Sequence, residues 1–406
     1  MNKNIKLAVA GAVLALSASA ANAGIIIPAG DWTLDVSGNV NSFFSNVKSN
    51  ANNTINGGIT ATGGKSENSQ GTGLLPNFLS FGGTTRQNDL DVAFLISIQP
   101  GGDVGSAGQY GTQNNRQAYL TVGDKSWGSV KLGKDLGVFA SDAILNDMTL
   151  LGVGVGAGNG NATYGRIGTG YIYADWKSQI AYTTPNFNGF QATVALSNAW
   201  NPTSSMSTAS TPATTTNSFI GTSRGGASPA YEGKASYSFA ANDVTGKVWV
   251  SGIAKHINGV DSTQDPTAYA GDIGANVNFA GFGLTGYYYS GTGLGTTFQF
   301  KDAYSTAGQA RDSDGGYVQA TYVLPTKTKV GISWGRSNLD LATGETATTG
   351  TQGYTVKKNE AWTAGVYHPL TKHLNLVAEY SYIKSANQLN QSDDANSVSL
   401  GAILFF

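Results

Sequence analysis

The sequence contains no cysteine and little charge. Without cysteine, the chain has no disulfides and no thiolate for catalysis or metal binding. Charged residues make up 12% of its 406 residues, whereas a water-soluble domain typically carries about 25%. Beyond Leu16 the chain also lacks the roughly 18 to 20 consecutive apolar residues that a membrane-spanning helix requires. Any insertion into a membrane must therefore use strands, and the sheet must supply the stability.

Residues 1–23 have the organisation of a signal peptide. Lys3 and Lys6 form a cationic start, Leu7–Leu16 an apolar run, and Ala21–Ala23 a small-residue cleavage site. We expect export and cleavage, which leave a mature chain of residues 24–406. The loss of two lysines leaves 22 basic residues (24 − 2) against 25 acidic residues, a net charge of about −3. This charge balance argues against nucleic acid as a partner.

Alternating segments of about ten residues follow one another from residue 32 to the last residue. Val318, Ala320 and Tyr322, for example, alternate with Tyr317 and Gln319, so one face is apolar and the other polar. Short turn sequences are predicted at 85–88, 123–127, 185–189, 240–243, 280–281, 325–326 and 369–372. Long polar stretches occupy 48–73, 100–114, 136–175, 198–230, 256–265, 295–313, 338–357 and 385–395. The pattern predicts an all-β protein, a transmembrane antiparallel β-barrel of about sixteen strands with apolar residues toward lipid and polar residues toward a wet lumen.

The last segment is the most specific single signal in the sequence. Val398, Leu400, Ala402, Leu404 and Phe406 alternate up to a terminal aromatic residue. We interpret this strand, with Leu404 and Phe406, as the signal read by the outer-membrane barrel-assembly machinery. Aromatic residues near the other predicted strand ends are expected to form an interfacial girdle. They are Phe43, Tyr119, Trp176, Phe190, Tyr237, Tyr322, Trp334 and Tyr382.

Motifs for catalysis or cofactor binding are weak. The glycine-rich run 152–160 lacks the Lys-Ser/Thr and the helix pattern of a phosphate-binding loop. The three histidines, His256, His368 and His373, have no spacing that favours a metal site. No Ser-His-Asp order or close pair of acids indicates an outer-membrane enzyme. We therefore predict a protein that is not an enzyme and has no cofactor and no metal.

About a third of the chain, from Gly73 to Ser197, resembles the Gram-negative general diffusion porins. The motifs that carry the resemblance are Gly73–Pro76, Leu79–Gly83, Asn115–Tyr119, Leu132–Asp135, Asn146–Met148, Tyr164–Gly168 and Tyr182–Phe190. The resemblance implies a sixteen-stranded trimeric barrel in the outer membrane. It also implies that the third loop is folded into the lumen.

Carried over by position, the resemblance assigns four residues to a pore constriction. Arg116 and Arg166 match wall arginines, Lys134 matches a neighbouring basic wall position, and Asp147 matches a carboxylate of the third loop that faces them. Asp142 is a second candidate acid in that loop. Opposed charges across a narrow mouth create a transverse field that selects ions and orients dipolar solutes. Three basic candidates against two acids indicate a weak anion preference.

The chain departs from the family pattern at several of these positions. The family's loop glutamate is missing, because Leu150–Gly154 stands where the family has Pro-Glu-Phe-Gly-Gly. Phe78 replaces a wall arginine, and Asn39 stands where the first strand often has a lysine. Strict alternation also places Lys134 on the outward face, at the rim, unless the chain bends at Gly133. The arginines have the same alternative, an extracellular rim instead of the pore wall.

The predicted function is a water-filled channel for passive diffusion of ions and small hydrophilic solutes. A first alternative is a substrate-specific channel, for example for sugars, in which Tyr171, Tyr173 and Trp176 form a sliding surface. A second is a structural adhesin or receptor barrel without conductance, whose long loops 198–230 and 338–357 bind a surface partner or phage. The expected partners are two further copies in a homotrimer, outer-membrane lipid and lipopolysaccharide, the barrel-assembly machinery, and the solutes themselves.

Overall fold

The computed structural model describes residues 24–60, 66–100, 113–156, 162–200, 226, 228–257, 266–305, 307–348 and 351–406. The predicted signal peptide and most of the predicted surface loop 198–230 lie outside these residues. Within the described ranges, no helix is long and apolar enough to cross a membrane.

The strands form one continuous antiparallel sheet. They are β1 (Ile25–Ala29), β2 (Trp32–Ser49), β3 (Ser66–Gly71), β4 (Phe78–Gln87), β5 (Leu90–Pro100), β6 (Gln113–Asp124), β7 (Gly128–Leu136), β8 (Trp176–Thr183), β9 (Phe190–Ser197), β10 (Ala230–Ala241), β11 (Val244–His256), β12 (Thr267–Phe279), β13 (Phe282–Thr292), β14 (Asp312–Val323), β15 (Lys329–Leu339), β16 (Val356–Pro369), β17 (Leu374–Asn387) and β18 (Ser392–Phe405). Among the described residues, three short helical segments lie in loops: α1 (Ser141–Leu145), a 3₁₀ helix (Met148–Leu151) and α2 (Thr351–Tyr354).

The sheet closes on itself. Each strand from β4 to β18 pairs with the next, and β18 returns to β2 with Phe405 opposite Asn39 and Ala395 opposite Ser49. Both β3 and β4 pair with the same edge of β2, so they form one interrupted barrel strand, and β1 only extends the wall beside the start of β2. Merging β3 with β4 and leaving out β1 turns eighteen segments into sixteen barrel strands. The predicted closed barrel is confirmed.

Short turns join the strands at one end of the barrel, as predicted. The first is shifted relative to the prediction, because Arg86 and Gln87 stay in the ladder opposite Asp91 and Leu90. The turn is therefore the two-residue segment Asn88 and Asp89, with φ of 49° and 61°. Positive φ at both central residues gives the turn the twist of a tight hairpin, and asparagine and aspartate tolerate that conformation.

Apolar and polar residues lie on opposite faces of the wall. On β14, Val318 is 56% exposed, whereas Tyr317 beside it is 1% exposed and points inward. The same alternation leaves large apolar side chains exposed around the whole outer surface, among them Phe44, Ile96, Ile180, Ile273 and Leu400. Burial of such a side chain away from water is worth about 1.5 to 3 kcal/mol, so this surface is stable facing lipid and not water.

The terminal strand alternates as predicted, and most of the aromatic residues expected in the girdle face outward. Val398, Leu400 and Leu404 face outward, and Phe406 exchanges two main-chain hydrogen bonds with Gly38 (2.8 and 3.1 Å). The girdle prediction is wrong for Phe43, which is buried on the inner face, and for Tyr119, which points inward beside the equally inward Gln117 and Leu95. Phe43 contributes to the packing inside the barrel instead.

Candidate functional site

The connection between β7 and β8 packs against the inner face of the wall. We call its described residues, 137–156 and 162–175, the inner loop. The Tyr317 hydroxyl of β14 donates to the carbonyl of Ala143 (2.8 Å), and the Gln319 side chain, also on β14, contacts the main chain of Asn146 (2.7 Å) and Met148 (2.9 Å). Since Tyr317 and Gln319 both lie on the inward face of β14, the loop lies on that side of the sheet.

A second attachment fixes the middle of the inner loop to β17. The Glu379 carboxylate accepts hydrogen bonds from the amides of Val153 and Gly154, both at 2.7 Å. The approach requires glycine, because a Cβ at Gly152 would lie 2.2 Å from the Glu379 Oε1 and a Cβ at Gly154 would lie 2.5 Å from Gly165. The glycines that the sequence places here therefore allow the loop to lie close to the wall.

Asp147 organises the inner loop from within. Its buried carboxylate accepts from the amide (2.9 Å) and hydroxyl (2.8 Å) of Thr149, from the amide of Arg166 (3.2 Å) and from the Tyr171 hydroxyl (2.8 Å). It also caps the 3₁₀ helix at its first turn, where main-chain amides have no helical partner. Four donors occupy the carboxylate, so its main contribution is to hold the outgoing and returning limbs of the loop together.

Arg166 is fully buried between the inner loop and the wall. Its guanidinium donates to the main-chain oxygens of Ser333 on β15 (2.6 Å) and Ala361 on β16 (3.0 Å). Burial removes water from the cation and lowers the pKa of the Arg166 guanidinium below its usual value. The sequence analysis expected Arg166 on the barrel wall, facing Asp147 across the constriction. In the structure Arg166 belongs to the inner loop, only its amide contacts Asp147, and its guanidinium points into the wall.

Asp142 lies between two lysines that the sequence analysis did not single out. Its carboxylate forms ion pairs with Lys234 of β10 (2.9 Å) and Lys247 of β11. Burial alone would raise the pKa of the Asp142 carboxyl, but the two ammonium groups outweigh it and the pKa is lowered. The lysine side chains remain 22% and 32% exposed. We call these three residues the Asp142 cluster.

The polar–apolar alternation of β10 and β11 could have identified Lys234 and Lys247 from the sequence. Lys234 alternates with the outward Ala235, and its register partner across the ladder is Ser251, on the inward face of β11. Any lysine on the polar face of a barrel strand faces the lumen.

A second ion pair lies on the inner face of β7. Lys131 pairs with Asp135 four residues later, and Asp135 also accepts a hydrogen bond from the Gln117 side chain (3.0 Å). The Lys131 ammonium lies 4.6 Å from the centre of the Tyr119 ring, a cation–π distance. This pair is neutral as a unit.

Arg116 and Lys134 are on the outer face, which corrects their expected position in the pore. Lys134 pairs across the ladder with Ala118, and the next outward pair is Leu120 with Leu132. Gly133 has a φ of 128°, but the register continues through it without a shift, so no bend turns Lys134 inward. The Arg116 guanidinium lies 5.8 Å from the ring of the outward Trp176. Alternation, which placed Lys134 outward, outweighs the motif match.

The start of the inner loop is fixed by a fully buried ion pair. Lys177 of β8 contacts Glu232 of β10 at 2.8 Å, and neither side chain is exposed. Glu232 also accepts from the amide of Phe139 (2.9 Å), and Lys177 donates to the Gln299 side chain (2.9 Å). These hydrogen bonds satisfy charges that would otherwise be costly to bury.

The three aromatic residues suggested for a sugar-sliding surface do not form one. Tyr171 is buried with its hydroxyl on Asp147, and Trp176 faces outward. Tyr173 packs in a three-ring cluster with Trp200 (6.3 Å between ring centres) and Phe298 (5.8 Å). The cluster joins three loops.

Comparisons with known proteins agree with this architecture. A family model described as Gram-negative porin matches residues 9–388. Similar solved structures include the outer membrane channel DcaP of Acinetobacter baumannii (TM-score 0.67, 17% identity, covering 95% of this chain and 100% of that one). Others are the anion-selective porin from Comamonas acidovorans (0.60, 15%, 92% and 100%) and a trimer form of OmpT of Vibrio cholerae (0.55, 13%, 92% and 99%). No curated protein sequence matches the chain.

Proposed function

Because the chain belongs to the Gram-negative porin family and is an outer-membrane diffusion channel, we propose that the inner loop narrows its lumen and that the Asp142 cluster sets its ion preference. The contacts of the inner loop with inward residues of β10, β14 and β17 support a position across the lumen. A loop held at three separated points of the wall leaves a gap that is smaller than the barrel itself.

The observation that carries the ion preference is the composition of the Asp142 cluster. Two partly exposed lysines share one carboxylate, so the cluster retains one positive charge, whereas the Lys131–Asp135 pair cancels. A unit charge about 4 Å from a passing ion is worth about 1 kcal/mol even in water, which is roughly fivefold in ion occupancy. The channel therefore favours anions weakly. One of the solved structures of similar fold is described as an anion-selective porin.

Reversal potentials in a planar bilayer under a salt gradient test this proposal. Asp142→Asn removes the only carboxylate of the cluster and should move the reversal potential further toward anions. The double variant Lys234→Gln/Lys247→Gln changes the cluster from one net positive to one net negative charge and should move the reversal potential toward cations, by about fivefold in permeability ratio for each of the two charges removed. Lys125→Gln, in the exposed turn between β6 and β7, is the matched control. Unchanged reversal potentials in both cluster variants would show that the Asp142 cluster does not act on permeating ions.

The channel assembles as a homotrimer in this proposal. The solved trimer form of OmpT of Vibrio cholerae supports it. Single-channel steps that open or close in threes are expected. Single-channel steps that occur only singly would contradict the trimer, as would chemical cross-linking that yields only monomers.

Export and assembly complete the proposal. Residues 1–23 direct secretion and are removed, the strand ending at Phe406 is recognised by the barrel-assembly machinery, and lipid with lipopolysaccharide surrounds the outer wall. Mass spectrometry of the protein extracted from outer membranes should find Gly24 at the amino terminus.

A further inference from the structure

The first long connection, between β2 and β3, folds onto the inner face of the wall over its residues 50–60. We call these residues the mouth loop. Long connections lie on the outer side of a bacterial outer-membrane barrel, so this loop stands at the outer mouth. Its sequence contains four asparagines and two threonines but no charged residue. The mouth loop therefore offers amides and hydroxyls without charge.

A row of inward residues across three strands holds the mouth loop. Asn359 of β16, Ser385 of β17 and Asp393 of β18 are successive register partners, and each is 3% exposed or less. The Ser385 hydroxyl accepts from the amide of Ile59 (3.0 Å), and the Asp393 carboxylate accepts from the amide of Asn52 (3.1 Å). Buried main-chain amides need such partners, so these polar side chains fix the course of the loop inside the barrel.

Further contacts attach the mouth loop to β16. The Asn359 side chain donates to the carbonyl of Gly57 (3.1 Å). The main chain of Asn56 forms hydrogen bonds with Tyr354 and Val356, both at 2.7 Å. Gly57 has a φ of 86°, and a Cβ there would lie 2.9 Å from the Val356 Cγ1, so this close approach requires glycine. The mouth loop is therefore packed closely against the wall.

The mouth loop lies above the inner loop on the same side of the lumen. On β17, the inward Glu379 and Ser381 contact the inner loop, whereas Ser385, four residues further along, contacts the mouth loop. Four residues of a strand span about 13 Å. The two loops meet where Ile59 packs with the buried Val155. A solute that enters from outside therefore passes the mouth loop before it reaches the inner loop.

We propose that the mouth loop is a second constriction, without charge, that sets the size limit for neutral solutes at the outer mouth. Its contacts with three strands hold it in one position, and a fixed obstacle excludes solutes by size. Its amides and hydroxyls form hydrogen bonds with hydrophilic solutes without selecting ions by sign. This constriction requires the diffusion channel but not the ion preference of the Asp142 cluster, so sugar permeation and reversal potentials can fail independently.

Entry of neutral sugars of increasing size into proteoliposomes tests the mouth loop. Asn359→Ala/Ser385→Ala removes wall contacts of the loop and should raise the entry rate of trisaccharides severalfold, with a smaller rise for monosaccharides. Glu360→Gln/Lys384→Gln changes the next register pair, which faces outward, and should retain wild-type rates. Reversal potentials should be unchanged in both double variants, because the Asp142 cluster is intact. Variants are compared only where the heat-modifiable barrel band shows that they are folded.

A reversible lock tests whether the loop itself is responsible. Asn56 and Thr355 are bridge partners, and neighbouring strands lie about 5 Å apart, within the reach of a disulfide. The chain contains no cysteine that could compete. Added to Asn359→Ala/Ser385→Ala, the pair Asn56→Cys/Thr355→Cys should restore the wild-type size limit when oxidised and lose it again on reduction.

Detachment of the loop is measured separately. Ile59 is 5% exposed, so Ile59→Cys should react slowly with a water-soluble maleimide in the attached loop and rapidly in the Asn359→Ala/Ser385→Ala background. Rapid labelling with an unchanged size limit would overturn the proposal. Where labelling stays slow, deletion of residues 52–58 decides, and wild-type sugar rates in the folded deletion variant would overturn it too.

Two other results would also contradict the second constriction. Equal increases in sugar entry in the inward and outward double variants would mean a general loosening of β16 and β17. A shift of the reversal potential in Asn359→Ala/Ser385→Ala would show that the mouth loop acts on ions and is not a filter of size alone.

Discussion

The inner and outer faces of the wall carry the same kinds of charged residues in opposite circumstances. On the inner face, Lys177 and Glu232 form an ion pair with no exposure, and Arg166 is buried against strand carbonyls. On the outer face, Lys358 and Glu360 pair at 3.1 Å while remaining 31% and 26% exposed. Because successive residues of a strand point to opposite faces, one position in register decides between these environments. The buried inner charges hold a loop, whereas the outer charges meet solvent and headgroups.

The largest expected effect comes from breaking the buried pair. Glu232→Gln leaves Lys177 charged and buried, which should cost about 3 to 5 kcal/mol and lower the temperature of the heat-modification shift on gels. Lys177→Met/Glu232→Leu removes both charges and should recover much of the loss. The outer-face variant Glu360→Gln is the matched comparison and should cost about 0.5 kcal/mol. Equal destabilisation by Glu232→Gln and Glu360→Gln would show that breaking an ion pair costs the same on the inner and the outer face.

The next effect concerns the carboxylate that organises the inner loop. Asp147→Ala leaves the amides of Thr149 and Arg166 and the Tyr171 hydroxyl without their acceptor, which should destabilise the loop by about 3 kcal/mol. We expect a larger and noisier single-channel conductance, and faster entry of large sugars into proteoliposomes. Asp340→Ala, at an exposed acid after β15, serves as the control. Normal conductance with only a shift in ion preference would assign Asp147 to the pore surface instead.

A smaller effect is expected from pH. The pKa of Asp142 is lowered in the folded protein, so its ion pairs contribute stability above the carboxyl's unfolded pKa, and that contribution is lost only as pH falls through the lower folded value. The contribution of the Asp142 cluster to ion selectivity should therefore stay constant on acidification to about pH 4, the ordinary range of aspartate. In Lys234→Gln/Lys247→Gln the burial remains without the cations, so Asp142 should protonate at higher pH. Reversal potentials measured between pH 3 and 8 give both titrations.

The smallest expected effect separates the two faces directly. Arg116→Gln and Lys134→Gln should each shift the reversal potential less than Lys247→Gln does, because their side chains lie on the far side of the wall from the lumen. Measurement at 0.1 M salt, where the Debye length is about 10 Å, limits long-range effects through the wall. A shift from Arg116→Gln larger than that from Lys247→Gln would indicate that Arg116 lines the constriction.

The sequence by itself determined the barrel. Alternation at period two, tight turns such as Ala280 and Gly281, and the terminal strand to Phe406 are local patterns, and one register follows once the apolar set must face lipid. Alternation even indicated the outward position of Lys134, against the resemblance. What local patterns do not contain is the partner of a residue across the lumen.

Only the tertiary structure decided the site. Asp142 meets Lys234 and Lys247 because a loop leaving β7 folds back onto β10 and β11, and Glu232 meets Lys177 across β9, contacts separated by 55 to about 105 residues in the chain. The carboxylate of Asp147 is occupied by donors from three other residues, and no spacing in the sequence states which side chains will be close enough to donate. Strand periodicity is a property of each segment alone, whereas burial, ion pairing and access to the lumen arise only when the loop is packed inside the closed wall.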